Sequence, residues 1–158
     1  MKITGLMACD PSGLIGKNGW IPWYYPKEFE HFKLTIGSSP LVMGSKTFES
    51  LPENILRDRM SIVFSHNGSN ARGHDVTFIS SLDEFLTLGI GEEIFMIGGA
   101  EVAHLFLKNK MIKKFILTKI KKAYDGDAFL DISLLDGFDK ELIEDAPDYA
   151  IYRYRALS

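Results

Sequence analysis

Two stretches of this chain share one layout, and together they restrict the fold more than any other feature. Pro40-Leu41-Val42-Met43-Gly44 and Glu93-Ile94-Phe95-Met96-Ile97-Gly98-Gly99 are short apolar runs that end in glycine. Each passes into helical spacing, with Phe48 and Leu51 after the first and Val102, Leu105 and Phe106 after the second. A continuous apolar run is a strand covered on both faces, the condition of a parallel sheet flanked by helices. Glycine at the junction lets backbone or ligand come close, and the free N–H groups of a helix start favour an anion. The pair predicts an α/β domain whose ligands gather where strands run into helices. A plain tight turn before a capped helix uses the same residues, so the layout specifies a fold class before it specifies a ligand.

The remaining punctuation agrees. Ile3 to Cys9 is an apolar run closed by Asp10-Pro11-Ser12-Gly13, a buried first strand entering a turn. Ser61 to Ser65 and Val76 to Ile79 read as strands on either side of a polar loop. Ser81 with Glu84 has the spacing of a capping box ahead of Phe85, Leu86 and Leu88. Ser45 is the expected cap of the helix after Gly44. Lys113 to Ile120 and Tyr149 to Leu157 alternate polar with apolar residues, as strands at an antiparallel end of a sheet do. With 158 residues and no repeat or linker, residues 1–158 are expected to form one domain around one core.

Charge and motif content exclude several functions. A net charge of -3 argues against a nucleic-acid partner, and the lysines of Lys108 to Lys122 read as solvated strand faces. No stretch is long and apolar enough to span a bilayer, and the first residues lack a secretory hydrophobic segment, so the cytoplasm is the expected compartment. Cys9, the single cysteine, sits in an apolar run and suits a buried thiol. His31, His66, His74 and His104 have no ligand spacing, and neither H-E-x-x-H nor G-x-S-x-G occurs, so neither a metal nor acyl transfer is expected. Asn67-Gly68-Ser69 and Asp125-Gly126-Asp127 read as turns. Both the G-x-G-x-x-G fingerprint and the P-loop are absent, so a phosphate would rely on the glycines near Gly44 and Gly98 alone.

The stretch Ile21 to Lys33 carries the one acid that a surface helix would not need. Pro26 suits a first helical position, and Phe29, Phe32 and Ile36 recur as an apolar face with Glu28 on its edge. Desolvation raises a carboxyl's pKa, and an acid among aromatics could bind a neutral heterocycle and help protonate it. An edge glutamate reaching water has the same spacing, and the helix by itself does not decide. Before it, Leu14 to Ile21 is a loop with Gly16, Asn18 and Gly19 among apolar residues, equally suited to a mobile lid and to a packed surface loop. A single α/β domain with strand-to-helix anion sites and one acid among aromatics suits a nucleotide beside a flat heterocycle.

In order, the motifs L-I-G-K-N-G-W-I-P-W, P-K-E-F-E-H-F-K, V-M-G-S-K-T-F-E-S-L, I-V-F-S, F-M-I-G-G-A and T-K-I with Y-D-G-D resemble dihydrofolate reductase up to about Asp127; beyond that the match is loose. The resemblance implies a mostly parallel central sheet of about eight strands with flanking helices and an antiparallel C-terminal strand. It also implies hydride transfer from NADPH to 7,8-dihydrofolate, giving the tetrahydrofolate of one-carbon and thymidylate metabolism, in a monomer open to antifolate inhibitors. Glu28 falls on the family's acidic position in the pterin pocket, where it would orient the ring and favour protonation of the nitrogen beside the carbon that takes the hydride. Trp23 would hold a water against it, and Thr118 would hydrogen-bond both the acid and the substrate's amino group.

By the same resemblance, Leu6, Ala8, Phe29, Phe32, Leu51, Leu56 and Ile97 would wall the substrate, and Arg59 would pair with its glutamate-tail carboxylate. Ala8 and Ile15 would touch the nicotinamide, and Gly44, Lys46, Thr47, Gly98, Gly99 and Val102 would surround the pyrophosphate, with Ser65 and His66 at the adenosine 2′-phosphate. Gly16, Ile21, Ser45, Ile97, Ala100 and Glu101 would also belong to the cofactor site. Ile15 to Ile21 becomes a lid that excludes water. Three residues depart from the pattern. Ser45 replaces a basic residue, Glu101 stands where many relatives place arginine, and Ala103 where a tyrosine often packs beside the nicotinamide. The first two thin the cationic clamp on a 2′-phosphate, and the third is expected to leave a roomier pocket. The reductase of riboflavin synthesis shares the fold and NADPH use, but the acid at Glu28 and Arg59 discriminate against it. A non-enzymatic pterin or nucleotide sensor would bind without turnover.

Overall fold

In a computed structural model that describes residues 1–66 and 75–157, the apolar runs assemble into one eight-stranded sheet. The elements in chain order are β1 (Lys2–Cys9), β2 (Leu14–Gly16), α1 (Pro26–Ile36), β3 (Leu41–Gly44), α2 (Ser45–Ser50), α3 (Glu53–Leu56), β4 (Ser61–Phe64), β5 (Val76–Ile79), α4 (Leu82–Thr87), β6 (Glu93–Met96), α5 (Ala100–Lys108), β7 (Lys114–Ile120), β8 (Ala128–Phe129), β9 (Phe138–Asp145) and β10 (Tyr149–Ala156). The sheet order is β5-β4-β3-β6-β1-β7-β10-β9, and β2 pairs with β8 apart from it. Strands β5 through β7 of that order are parallel throughout, and only β10 runs against both of its neighbours. The expected mostly parallel sheet with an antiparallel C-terminal strand is what forms.

Strand β1 shows how one sequence serves two faces. Ile3, Met7 and Cys9 pack with Val42, Phe85, Phe106 and Phe115 in one core, while Leu6 joins Ile36, Leu41, Met43 and Phe48 in the other. Gly5, between them, has no side chain because the Phe115 ring lies where its Cβ would be. Phe106 meets Phe85 and Phe64 edge-on at 5.1 and 5.8 Å, and each fully buried ring contributes roughly 1.5–3 kcal/mol. Cys9 is buried, and burial pushes its thiol up to about 12, so it acts as a small apolar residue.

The helix starts follow local chemistry with small departures. Ser81 accepts from the Glu84 N–H at 3.1 Å, and the Glu84 carboxylate reaches back to the N–H and hydroxyl of Ser80 instead of Ser81. Gly44, not Ser45, stands at the N-cap of α2, with no side-chain bond, and Ser45 is the first helical residue. Strand β9 was not expected. Its side chains are exposed on both faces except at Phe138, so it carries no alternation to read. The Asn67-Gly68-Ser69 turn and His74 lie outside the described residues. Among the described residues no helix is long and apolar enough to cross a membrane, and no cluster of side chains suits a metal.

Candidate active site

A cleft of about 880 Å³ follows the carboxyl ends of the parallel strands. Ala8 of β1 and Thr118 of β7 line one end, Ile97 beyond β6 and Gly44 of β3 the middle, and Phe64 of β4 with Ser65, His66 and Ser80 the other. From β7 to β5 the sheet makes five steps, so at ~4.8 Å a step the cleft is roughly 24 Å long. It has room for two molecules end to end.

At the β1–β7 end, α1 supplies the wall. Pro26 is its first residue and Tyr25 before it is extended (φ -123°, ψ 106°), as a residue preceding proline must be. Phe29 and Phe32 stack with centroids 6.0 Å apart, and Ile36 beyond them is buried in the core, which fixes the helix's rotation. That rotation leaves Glu28 half-buried on the cleft wall. Burial pushes its carboxyl up to about 7, so near neutral pH it exists as both acid and carboxylate. His31, one turn on, also lines the cleft. Its Nε2 is buried with no partner among the described residues, and burial lowers its pKa, with Glu144 opposing, so the ring is held neutral. The Thr118 side chain is buried and faces the same space, without a direct hydrogen bond to Glu28. Trp23 packs on Tyr124 at 5.5 Å, and the Tyr124 hydroxyl lies 2.6 Å from that of Tyr25.

Toward β5, two helix starts meet. Gly44 and Gly99 are the N-caps of α2 and α5, and neither end is capped by a side chain. The Gly44 N–H donates to the Gly98 carbonyl at 2.8 Å. A Cβ on Gly44 would come to 3.4 Å of Val102 Cγ2, and one on Gly99 to 3.7 Å of Thr47 Oγ1. Two first turns thus line the cleft at neighbouring glycines, and Lys46 beside them adds a cation, a cradle suited to a pyrophosphate.

The loop above the cleft is an ordered hairpin. Lys17 and Trp20 exchange backbone hydrogen bonds at 2.7 and 2.9 Å around Asn18 (φ 52°) and Gly19 (φ 86°), the left-handed pair that a tight hairpin turn needs. The Asp127 N–H donates to the Gly16 carbonyl at 3.0 Å, and its carboxylate accepts from the Asn18 N–H at 3.1 Å. At the base, the buried Asp10 carboxylate accepts from Ser12 and Leu14 on one side and from the Tyr124 N–H on the other. Burial pushes the Asp10 carboxyl up, but those donors outweigh it and leave it below the ordinary range. Trp20 is 66% exposed and still lines the cleft mouth, the position of a lid.

Comparison with known proteins decides what this cleft belongs to. The family model for dihydrofolate reductase matches residues 2–144. Curated dihydrofolate reductases resemble the chain along most of its length. That of Bacillus subtilis is 34% identical over 127 residues, covering 79% of this chain and 73% of its own. That of Neisseria gonorrhoeae is 33% identical over 130 residues, covering 82% and 78%, and that of Ureaplasma parvum 31% over 121, covering 77% and 76%. The chain belongs to the dihydrofolate reductase family. It is an oxidoreductase that reduces dihydrofolate to tetrahydrofolate, and the family uses a nucleotide cofactor.

Against that frame of a dihydrofolate reductase, most of the expected residues lie on one wall. Leu6, Ala8, Ile15, Gly16, Ile21, Trp23, Glu28, Phe29, Phe32, Leu51, Ile97 and Thr118 line the cleft toward β7, and Gly44, Ser45, Lys46, Thr47, Ser65, His66, Gly99, Ala100, Glu101 and Val102 line it toward β5. Four do not. Leu56 is fully buried in the core behind the wall, and Gly98 sits beneath Gly99 against Met7. Ala103 is buried in the core of α5, so it does not enlarge the cleft. Arg59 lies off the wall, its guanidinium donating to the carbonyls of Ile55, Ser39 and Gly37 at 2.8, 2.6 and 2.7 Å. His31, Met7, Phe64, Ser80 and Leu105 line the cleft without having been expected. His31 had a legible signal, since three residues after Glu28 on a helix is the same face. Asn18-Gly19, between Lys17 and Trp20, also signals the hairpin turn that forms.

Proposed function

We propose that the reductant is NADPH, held at the β5 end of the cleft, and that Glu28 is the residue that prepares dihydrofolate at the β7 end. The observation that carries this is the half-buried Glu28 carboxyl, pushed up to about 7 by burial, on the same wall as Phe29, Phe32 and Thr118. The cofactor, when bound, supplies the hydride. Gly44, Gly99 and the first turns of α2 and α5 would hold its pyrophosphate, with Lys46 and Thr47 beside them, and Ala8 and Ile15 would flank its nicotinamide.

Glu28 would bind the pterin's amidine edge, with Thr118 accepting from the amino group. A carboxyl near its pKa can accept that hydrogen-bond pair and keep a proton available, by way of a water against Trp23, for the ring nitrogen next to the carbon being reduced. Phe29, Phe32 and Leu51 would sandwich the ring and the benzoyl group, and flat antifolates would compete for the same wall. Arg59 has five N–H donors, of which three are taken by carbonyls, leaving one on each terminal nitrogen for the tail carboxylate.

The test is an NADPH-oxidation assay with dihydrofolate. Turnover is expected to fall as pH rises through about 7, where Glu28 loses its proton. Glu28→Gln should reduce kcat by about 10²–10⁴ at neutral pH while the chain stays folded. Undiminished turnover in a folded Glu28→Gln variant would remove Glu28 from the mechanism.

A further inference from the structure

Behind the β7 end of the cleft, where α1 packs on the sheet, runs a seam of polar groups that the binding of either ligand leaves unused. His31 follows Glu28 by three positions on α1, so the two share a helix face with Cβ atoms ~5–6 Å apart. The His31 ring lines the cleft, yet its Nε2 is buried and has no partner among the described residues. Strand β10 turns Tyr149, Ile151 and Arg153 toward α1. Tyr149 and Ile151 pack with Trp23 and Tyr25 just ahead of the helix, and Ile116, which pairs with Arg153, joins the cluster of Phe29 and Phe32. Register sets Glu144 and Glu141 of β9 beside Ile151 and Arg153. The Tyr149 hydroxyl donates to the Glu144 carboxylate at 3.4 Å, and Arg153 binds Glu141 at 2.6 Å. Burial raises the Tyr149 phenol, and the charges of Glu144, Glu28 and Asp148 add to it, while the Glu144 charge opposes the burial that lowers His31. Glu144 is exposed, so the seam leads from water at the β9 edge to the acid in the cleft. The charged and titratable groups along it are Glu28 on α1, Tyr149 and Arg153 on β10, and Glu141 and Glu144 on β9.

We propose that His31 is a proton-relay residue that recharges Glu28 from Glu144 at the water-facing edge of β9, behind the substrate, while the lid covers the cleft mouth. The relay rests on the reading of Glu28 as the acid of the reaction, and His31 acts through it. Each reduction of dihydrofolate consumes one proton besides the hydride. The hydride brings an electron pair to the ring carbon, the neighbouring nitrogen takes a proton that comes from the Glu28 carboxyl, and Glu28 is left a carboxylate. A neutral imidazole has one N–H and one bare nitrogen. The bare nitrogen takes a proton from Glu144, itself protonated by bulk water, and the N–H gives its proton toward Glu28. The ring ends neutral, so no charge stays buried, and a turn of the ring restores its tautomer. The Tyr149 hydroxyl holds the Glu144 carboxylate over the seam.

The test follows the hydride step in a single turnover, mixing dihydrofolate with the NADPH complex of the full chain at about pH 6 and about pH 8, either side of the Glu28 titration. On the acid side Glu28 already holds its proton, so His31→Gln should transfer hydride at the wild-type rate. On the alkaline side the acid must first be charged, and His31→Gln should be slower than wild type by about tenfold or more, with imidazole in the buffer restoring much of the loss. Glu144→Gln, a change at an exposed side chain, should show the same pH pattern with a smaller loss. Carbon NMR of the labelled carboxyl should find Glu28 titrating at about 7 in both variants, because the relay sets a rate and not an affinity for the proton. Circular dichroism checks that both fold, and Glu144→Gln carries the test if His31→Gln does not. A loss in His31→Gln that is equal at the two pH values, or that imidazole leaves in place, assigns His31 to packing and overturns the relay. So does a wild-type rate on the alkaline side in either folded variant. If a folded Glu28→Gln also turns over like wild type, the reading of Glu28 falls with it, whereas a slow Glu28→Gln beside an unaffected His31→Gln removes the relay alone.

Discussion

Glu28 is costly to the fold that displays it. Its ordinary pKa is 4.5 and burial pushes it to about 7 in the folded chain. Between those values the folded chain holds a proton that the unfolded chain releases. Its contribution is therefore complete below about 4.5 and is lost as pH rises through about 7. His31 works the other way: burial lowers its pKa, so its contribution is present above its ordinary value of 6.5 and lost as pH falls. Subtracting a variant isolates the first term. Glu28→Gln is expected to stabilise the chain relative to wild type by roughly 2–3 kcal/mol at pH 8 and by little at pH 4, read from urea unfolding at the two pH values. A difference that stays constant with pH would show that the carboxyl is not desolvated in the folded state. Arg59 is a residue-scale case of another kind. Three carbonyls fix the plane of its guanidinium, which a lysine cannot reproduce. Arg59→Lys should weaken dihydrofolate binding by about 10–100-fold and leave a dihydropterin without the glutamate tail unaffected. Equal losses for both ligands would mean that Arg59 acts only through the fold.

At the scale of elements, the hairpin over the cleft is held by hydrogen bonds to Asp127 and by the close approach of Gly126. Asp127 holds Gly16 and Asn18, and Gly126 next to it lies so close that a Cβ there would collide with the Gly16 carbonyl and come within 2.6 Å of Leu14 Cδ1. Asp127→Ala should lower kcat by about tenfold and speed amide exchange at residues 17–20, with Glu28's pH dependence unchanged. Gly126→Ala should do the same by pushing the β7–β8 connection away from the lid. If exchange at 17–20 is unaltered in both, the hairpin is held by other contacts. The lid also shows what could be read in advance and what could not. Strand-to-helix junctions at Gly44 and Gly98 and the helix start at Pro26 were legible because their cause is local: a glycine, a proline, a run of apolar residues. The four-residue α3 and the two- and three-residue strands β8 and β2 are too short to carry a period. The orientation of Arg59 beyond the cleft lining depends on the carbonyls of Ser39 and Gly37, about twenty residues away, a tertiary contact with no local mark.

For the whole molecule, the sheet is asymmetric in a way that bears on assembly. Its parallel part, β5 to β7, is covered by helices and holds the cleft, while β10 and β9 extend it to an edge that is mostly open to water. Leu142 and Ile143 on β9 are about half exposed, at 52% and 45%, and an uncovered strand with such residues is a template for pairing with another chain. The same strand carries Asp139, Lys140, Glu141, Glu144 and Asp145. Two copies pairing antiparallel would bring acidic residues against acidic residues along an edge of a molecule already at -3. Arg153 binds Glu141 at 2.6 Å and Lys121 binds Asp145 at 2.6 Å, so part of that charge is used to hold β9 to its own sheet. We expect the wild-type chain to be a monomer of 17.8 kDa by sedimentation at neutral pH. Replacing charges outside those two ion pairs, as in the double variant Asp139→Val and Glu144→Val, should promote self-association that grows with protein concentration and with salt, because salt screens what repulsion remains. A wild-type dimer that dissociates when β9 is made more acidic would show instead that the edge is an interface.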